Sequence, residues 1–272
     1  MACRIAVLFT LAVSLLSACV SPSAAPSVPA LLDRLLPTQA LLIGEQHDAT
    51  EHQTLQRDVV LALASAGRLG GLVMEMTEQG RDTSGLPSDA SEERVREALG
   101  WKSEGGWPWA TYGPVVMAAV RSGAPVMGGN LPRSRMRNVM GEAALDGLIG
   151  AEALRQQREA IREGHCGLLP ESQIAPMARI QLARDRAMAQ ALASAVQRAG
   201  DGKTVVLVAG NGHVRRDLGV PLHLPSSLKH QVVMAQAGEA NVEGELADAI
   251  WRTPPLPARD HCAELRRAPL RR

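Results

Sequence analysis

The chain has 272 residues, with 29 Lys and Arg against 28 Asp and Glu and a formal net charge of +1. So even a balance supplies no basic face for nucleic acid, whose binding depends on neutralised phosphates. The length fits one large domain or two small ones and is ample for a packed core.

The chain opens with an export signal. Met1–Arg4 is a short charged start, Ile5–Leu16 an apolar run, and Leu16-Ser17-Ala18-Cys19 a stretch of small residues ending in cysteine. The run is too short to cross roughly 30 Å of hydrocarbon, which disfavours a transmembrane anchor. Leu-Ser-Ala-Cys has the form of a bacterial lipobox, in which residues 1–18 are removed and Cys19 is lipidated. The expectation is a protein held by lipid in the bacterial cell envelope. Val20, where an Asp would retain the protein at the inner membrane, points to the outer membrane. Loss of Arg4 with the signal leaves 28 residues of each charge. Residues 19–34 are read as the lipidated cysteine and a flexible tether, from the Ser/Ala/Pro-rich, uncharged stretch 20–30.

From residue 35 to 240 two kinds of segment alternate. Apolar runs bounded by glycine or turn residues fall at Ala40–Gly44, Gly71–Met76, Ala124–Gly128, Lys203–Ala209 and Gln231–Ala235. Helical patterns fall at about 51–66, 91–99, 113–122, 151–163 and 171–199. Continuous rather than alternating apolar strands separated by helices predict an α/β fold, with a mainly parallel sheet covered by helices on both faces. The stretch between the third and fourth strands is too long for a simple crossover, so an inserted helical subdomain is expected at about 133–200. Residues 241–272 read as a C-terminal extension with a basic tail.

Cysteines and aromatics are distributed unusually. With Cys3 removed and Cys19 lipidated, Cys166 and Cys262 remain as a pair, and an exported protein favours their joining in one disulfide. No C-x-x-C spacing supports metal binding or covalent cofactor attachment. A loop of this size, once closed, is expected to contribute about 4 kcal/mol in the chain-entropy model. Of only six aromatic residues, Trp101, Trp107, Trp109 and Tyr112 lie within twelve positions.

Ligands of parallel sheets meet the loops at the carboxyl ends of the strands. Those loops carry Glu45 and His47 after strand one, Glu75 at the end of strand two, Asn130 and Arg133 after strand three, and His213 after strand four. Singly, each is an ordinary capping or turn residue; together they predict a site. His52 reads as a surface histidine. Gln181, Arg184 and Asp185 share one helix face and read as a solvated or inter-helix polar network.

The ordered set G-E-x-H at 44–47, Glu75, W-x-W-x-x-Y at 107–112, N-L-P-R at 130–133, His165-Cys166, Q-x-x-R-D at 181–185 and G-N-G-H-V at 210–214 resembles the ChaN-type haem-binding lipoproteins of the Tiki-like superfamily. The likeness spans about residues 35–225. It implies a membrane-anchored lipoprotein of haem or iron uptake that binds haem b non-covalently, pairs as a homodimer around two haems, and exchanges haem with an uptake receptor or transporter. It further implies a binding and transfer protein rather than an enzyme. A tyrosine ligates the iron in the family, and Tyr112 is the only tyrosine here. His47, His213 and Arg133 then serve as partners of the propionates or iron, and Trp109 as flat apolar surface. On this reading Tyr112→Phe removes only an oxygen, with little change in melting temperature. The distant hydrolytic relatives supply an alternative, a divalent metal such as zinc on His47, Glu75 and His213. H-E-x-x-H and H-x-x-E-H are both absent from His47–His52, so no peptidase motif supports it.

Overall fold

The computed structural model describes residues 27–102, 106–239 and 244–267, so the signal and Cys19 lie outside the described residues. Six strands form one sheet: β1 Ala40–Glu45, β2 Leu69–Glu78, β3 Val126–Asn130, β4 Thr204–Gly210, β5 His230–Ala237 and β6 Ala249–Thr253. Their order is β3-β2-β4-β1-β5-β6, and every neighbouring pair is parallel. The expected α/β class and its helix-covered parallel sheet are therefore observed. β1 and β4 are buried along their whole lengths, which explains why their sequences, Ala-Leu-Leu-Ile-Gly-Glu and Thr-Val-Val-Leu-Val-Ala-Gly, lack alternation.

The helices are α1 Val28–Leu35, α2 Thr50–Ser65, α3 Glu92–Ala98, α4 Trp109–Arg121, α5 Arg133–Val139, α6 Ala151–Gly164, α7 Glu171–Ala199, α8 Asn211–Val214 and α9 His261–Arg267. One face of the sheet buries Leu41, Ile43, Met74, Val206 and Val208 against Leu55 and Val59 of α2 and Val116 of α4. The other face buries Leu42, Val73, Val205 and Leu207 against Met188, Leu192 and Ala195 of α7. The expected helical insertion thus has two duties. The C-terminal half of α7 covers the sheet, while its N-terminal half packs Ile174 and Ala178 against Ile161 of α6.

Among the elements not read from the sequence are α1 and β6. α1 starts inside the stretch taken as tether, capped by the Ser27 hydroxyl, which accepts the Ala30 N–H. It buries Leu31, Leu32 and Leu35 and leaves its two charged residues, Asp33 and Arg34, exposed. β6 falls within the C-terminal extension and adds an edge strand to β5. The disulfide joins Cys166 to Cys262, tying the end of α6 to α9 across 96 residues.

Strand order fixes where a ligand meets the sheet. From β1 the chain moves toward β2 through α2 on one face; from β4 it moves toward β5 through α8 on the other. The adjacent central strands β1 and β4 therefore send their loops apart, which is the topological switch point of an open α/β sheet. Both G-x-x-H segments, Gly44–His47 and Gly210–His213, sit there.

Candidate functional site

The two G-x-x-H segments are built into each other. A Cβ on Gly44 would lie 2.3 Å from Asn211 Oδ1, in the second segment, and 2.4 Å from Val214 Cγ2, just after it. A Cβ on Gly210 would lie 3.0 Å from His47 Nε2, in the first. Each glycine is the space into which the other motif fits, so neither accepts a larger residue without displacing a neighbour.

Because side chains alternate across a strand, Glu45 at the end of β1 points toward α2 and α4. There one carboxylate collects four donors. His47 Nδ1 and the Tyr112 hydroxyl each lie 2.6 Å from Oε1, and the Gln53 and Gln56 amides donate to Oε2 at 2.7 and 2.6 Å. Trp107 covers this group edge-on, its ring 4.6 Å from His47 and 5.8 Å from Tyr112. Tyr112 is only 1 % exposed, whereas the His47 side chain is 43 % exposed. Burial first, and then the Glu45 and Glu75 carboxylates, push the Tyr112 hydroxyl far above its ordinary value. The hydroxyl is thus a donor in a buried charge-assisted hydrogen bond, so Tyr112→Phe, expected from the sequence to change the melting temperature little, would remove a buried interaction as well as an oxygen.

Glu75 points to the opposite face and heads a second network. Its Oε1 pairs with the Arg184 guanidinium and lies 3.5 Å from His213 Nε2, while Oε2 accepts the Gly210 N–H at 2.7 Å. His213 Nδ1 lies 2.5 Å from Asp185 Oδ1. Asn130 joins by donating to the Glu75 carbonyl at 2.8 Å and accepting from Arg184 Nε at 3.0 Å. Burial alone would depress His213, but Glu75 and Asp185 outweigh it and raise the imidazole to about 9. Burial likewise works against ionised Glu75, yet His213 and Arg184 hold its carboxyl well below the usual range. Asp185 is pushed up by burial against the pull of His213. His47 is raised because Glu45 and Glu75 overcome its desolvation.

These shifts set a pH profile. The folded His213 titrates above its unfolded value of 6.5, so its contribution is complete below pH 6.5 and is lost as pH rises through about 9. At about 1.4 kcal/mol per unit, wild type should lose about 3 kcal/mol between these limits. Denaturant unfolding of His213→Gln should show most of that alkaline limb gone, leaving the smaller part due to His47. An unchanged limb in the variant would remove His213 from this role.

Arg184 and Asp185 are therefore site residues that sequence reasoning set aside as a polar network, and Gln53 and Gln56 are ones it did not single out. The signal was present as i, i+1 charges on one face of an otherwise Ala-rich α7. His52 is not at the surface. It is fully buried, accepts the Gln46 N–H on Nδ1 at 3.0 Å, and so donates through Nε2 to Thr253 Oγ1 at 3.1 Å, fastening β6 to the first loop. Trp109 is placed away from His47: its indole N–H donates to Glu92 Oε2 at 2.8 Å, and its ring packs 5.2 Å from Trp101. Arg133 donates its backbone N–H to Glu78 Oε1 at 3.1 Å. It borders a cleft of about 320 Å³ also lined by Glu75, Trp107, Leu131, Met136, Arg81 and Lys102.

The metal alternative fares poorly on geometry. His213 faces a carboxylate with each nitrogen, and Glu75 is engaged by Arg184. Among the described residues no group of three or more His, Cys, Asp or Glu is arranged to hold a metal ion. The hydrolase built on His47, Glu75 and His213 is not favoured.

Interlocked G-x-x-H loops at the switch point of a parallel sheet, flanked by a tryptophan-walled cleft with cations on its lining, define a ligand-binding α/β protein. A family model described as haem-binding uptake, Tiki superfamily, ChaN matches residues 31–224, and the chain belongs to that family. Membership supports a haem-binding role. Among solved structures the chain resembles ChaN of Campylobacter jejuni, described with cofacial haem binding, at 24% identity and a TM-score of 0.68 over 83% of this chain and 91% of that one. At this identity the likeness establishes the shared fold. Looser likenesses, each at 13% identity, are to the type III effector HopBA1 (TM-score 0.44, 80% of this chain and 88% of that one) and a Bacillus cereus protein (0.36, 78% and 70%). No match is found among curated proteins.

Proposed function

We propose that this protein is a lipid-anchored haem-binding protein of the outer membrane that takes part in haem uptake, holding haem b non-covalently and passing it to a receptor or transporter. The cleft walled by Trp107, whose ring also meets His47 and Tyr112, is the observation that carries this reading. Its lining joins flat and flexible apolar surface, Trp107, Leu131 and Met136, to the cations Arg81, Lys102 and Arg133. That is the chemistry a porphyrin with two carboxylates requires, so the residues present fit the group.

In this reading the Tyr112 oxygen would hold the haem iron and Arg133 would hold a propionate. Ferric haem supplies a hard cation whose charge offsets the two carboxylates that oppose a phenolate at Tyr112. Glu45 orients both Tyr112 and His47 through one oxygen. His213 reaches the rim through Glu75 rather than directly. The burial of Tyr112 favours a second reading, in which the exposed His47 would hold the iron. A homodimer forming on haem binding completes the proposal.

Titrating the soluble chain, residues 20 onward, with haemin should give saturable binding with a shifted Soret band, and sedimentation should show dimer only with haemin. A chain that ignores haemin and carries stoichiometric zinc lost in His47→Ala would overturn the proposal in favour of the hydrolase. For the anchor, each buried CH₂ of an acyl chain contributes about 0.8 kcal/mol, so several chains on Cys19 hold the protein firmly. Cys19→Ala should release it from the membrane fraction or block its maturation. Unchanged fractionation would reject lipidation.

A further inference from the structure

A second cavity, of about 270 Å³, lies on the α7 face behind the Glu75–His213 pair. One wall is α6, contributing Gln157, Ile161 and His165; the other is the loop after β4, contributing His213, Arg215 and Leu218, with Asp185 between them. Its lining is mixed: the apolar side chains Ile161 and Leu218 stand beside the polar ones Gln157, Asp185 and His213, and Gln157 is 8 % exposed.

The two walls are fastened differently. Arg216 in the loop donates its backbone N–H to the Leu246 carbonyl at 3.1 Å, and its guanidinium pairs with Asp248, just before β6. Asp248 in turn accepts the Val232 N–H of β5 at 2.7 Å, so this wall is moored to the sheet. α6 is held lightly. Only Gln157 and Ile161 of its 14 residues are buried, and its apolar contacts are with Ile174, Ala178 and their neighbours. Besides the main chain, which runs from α6 directly into α7, a second covalent path from α6 to the sheet runs through Cys166–Cys262 into α9 and back along residues 254–260 to β6. α9 buries no residue of its own, so the disulfide is its principal hold on α6, helped by a 3.4 Å contact from His261 Nε2 to the Gly164 carbonyl. The chain therefore forms a clasp around the cavity: sheet, strap, disulfide, α6.

We propose that Cys166–Cys262 is a redox clasp that keeps α6 closed as a movable wall, and so controls access of water and small solutes to His213 and Asp185. This rests on the fold and is independent of the haem reading. Opening is thiol–disulfide exchange with a dithiol: the S–S bond breaks, each cysteine leaves as a thiol with one proton, and the dithiol is oxidised to a disulfide. A helix with few buried apolar contacts then falls to the low-stability end of the fold.

Amide hydrogen exchange of the folded chain, with and without dithiothreitol, tests this directly. Reduction should speed exchange in 151–166 by about tenfold or more, while β1 and β4 amides, the internal control for folding, stay protected. The imidazole C2–H of His213 should exchange faster in the same sample. Cys262→Ser should reproduce both effects without reductant, and reoxidation of wild type should reverse them. Equal rates for α6 and His213 in the oxidised and reduced protein would overturn the clasp. General loss of protection in β1 and β4 would overturn it too, since the disulfide would then hold the whole fold and not one wall.

Discussion

Arg184→Ala should lower the free energy of unfolding by about 3 kcal/mol, near the low end for breaking a buried ion pair, and the midpoint temperature by about 6–12 °C. Glu75 is 2 % exposed, and the guanidinium is one of two cations that compensate its carboxylate. With Arg184 gone, His213 and the Gly210 N–H remain, which keeps the loss from reaching the upper end. Asn130 Oδ1 loses its donor at the same time. Arg184→Met keeps the aliphatic volume and should lose nearly as much, which separates charge from packing. Arg155 provides the comparison, since it forms an ion pair with Glu152 in which both side chains are about two-thirds exposed. Screening and side-chain entropy leave such pairs little net effect, so Arg155→Ala should be nearly silent. Denaturant unfolding of the three variants checks the ranking. If Arg184→Ala and Arg155→Ala fall together, the Glu75 network does not stabilise the fold.

That network shows where sequence reasoning stops. β1 and β4 were legible because burial on both faces leaves an unbroken apolar run bounded by glycine. Their end residues were legible because a parallel sheet presents strand carboxyl ends to ligands. Arg184 and Asp185 were not, because a charge pair on a helix face looks the same whether it meets water or a buried carboxylate. Only the path of α7 over β2 and β3 decides that, and it depends on contacts with residues more than 50 positions away. His52 was misread for a similar reason. Its partner Thr253 lies 201 positions further on, in a strand too short and too close to prolines to announce itself. The glycines of the two motifs were visible as a repeated spacing, but that each makes room for the other appears only once β1 and β4 stand side by side.

Tyr112→Phe should abolish the tyrosinate charge-transfer absorption of the haemin complex and weaken haemin binding. It keeps the ring, and with it the contacts to Trp101 and Trp107. What it removes is the hydroxyl that donates to Glu45 Oε1 at 2.6 Å, so some loss of stability must accompany any loss of binding. A hydrogen bond to a charged group contributes about 1.5–3 kcal/mol. Glu45 retains three donors, His47, Gln53 and Gln56, which places the expected loss near the lower figure. Gln53→Ala isolates this part of the effect, because it removes another donor from the same carboxylate without touching the phenol or His47. Gln53→Ala should therefore lose similar stability while keeping the haemin spectrum. His47→Ala leaves Tyr112 itself untouched and, with the Tyr112 oxygen on the iron, should keep the charge-transfer band while lowering affinity. Should Tyr112→Phe keep the wild-type spectrum and His47→Ala lose it, the axial donor is His47. The buried phenol would then serve only to hold Glu45, and through it the histidine, in position.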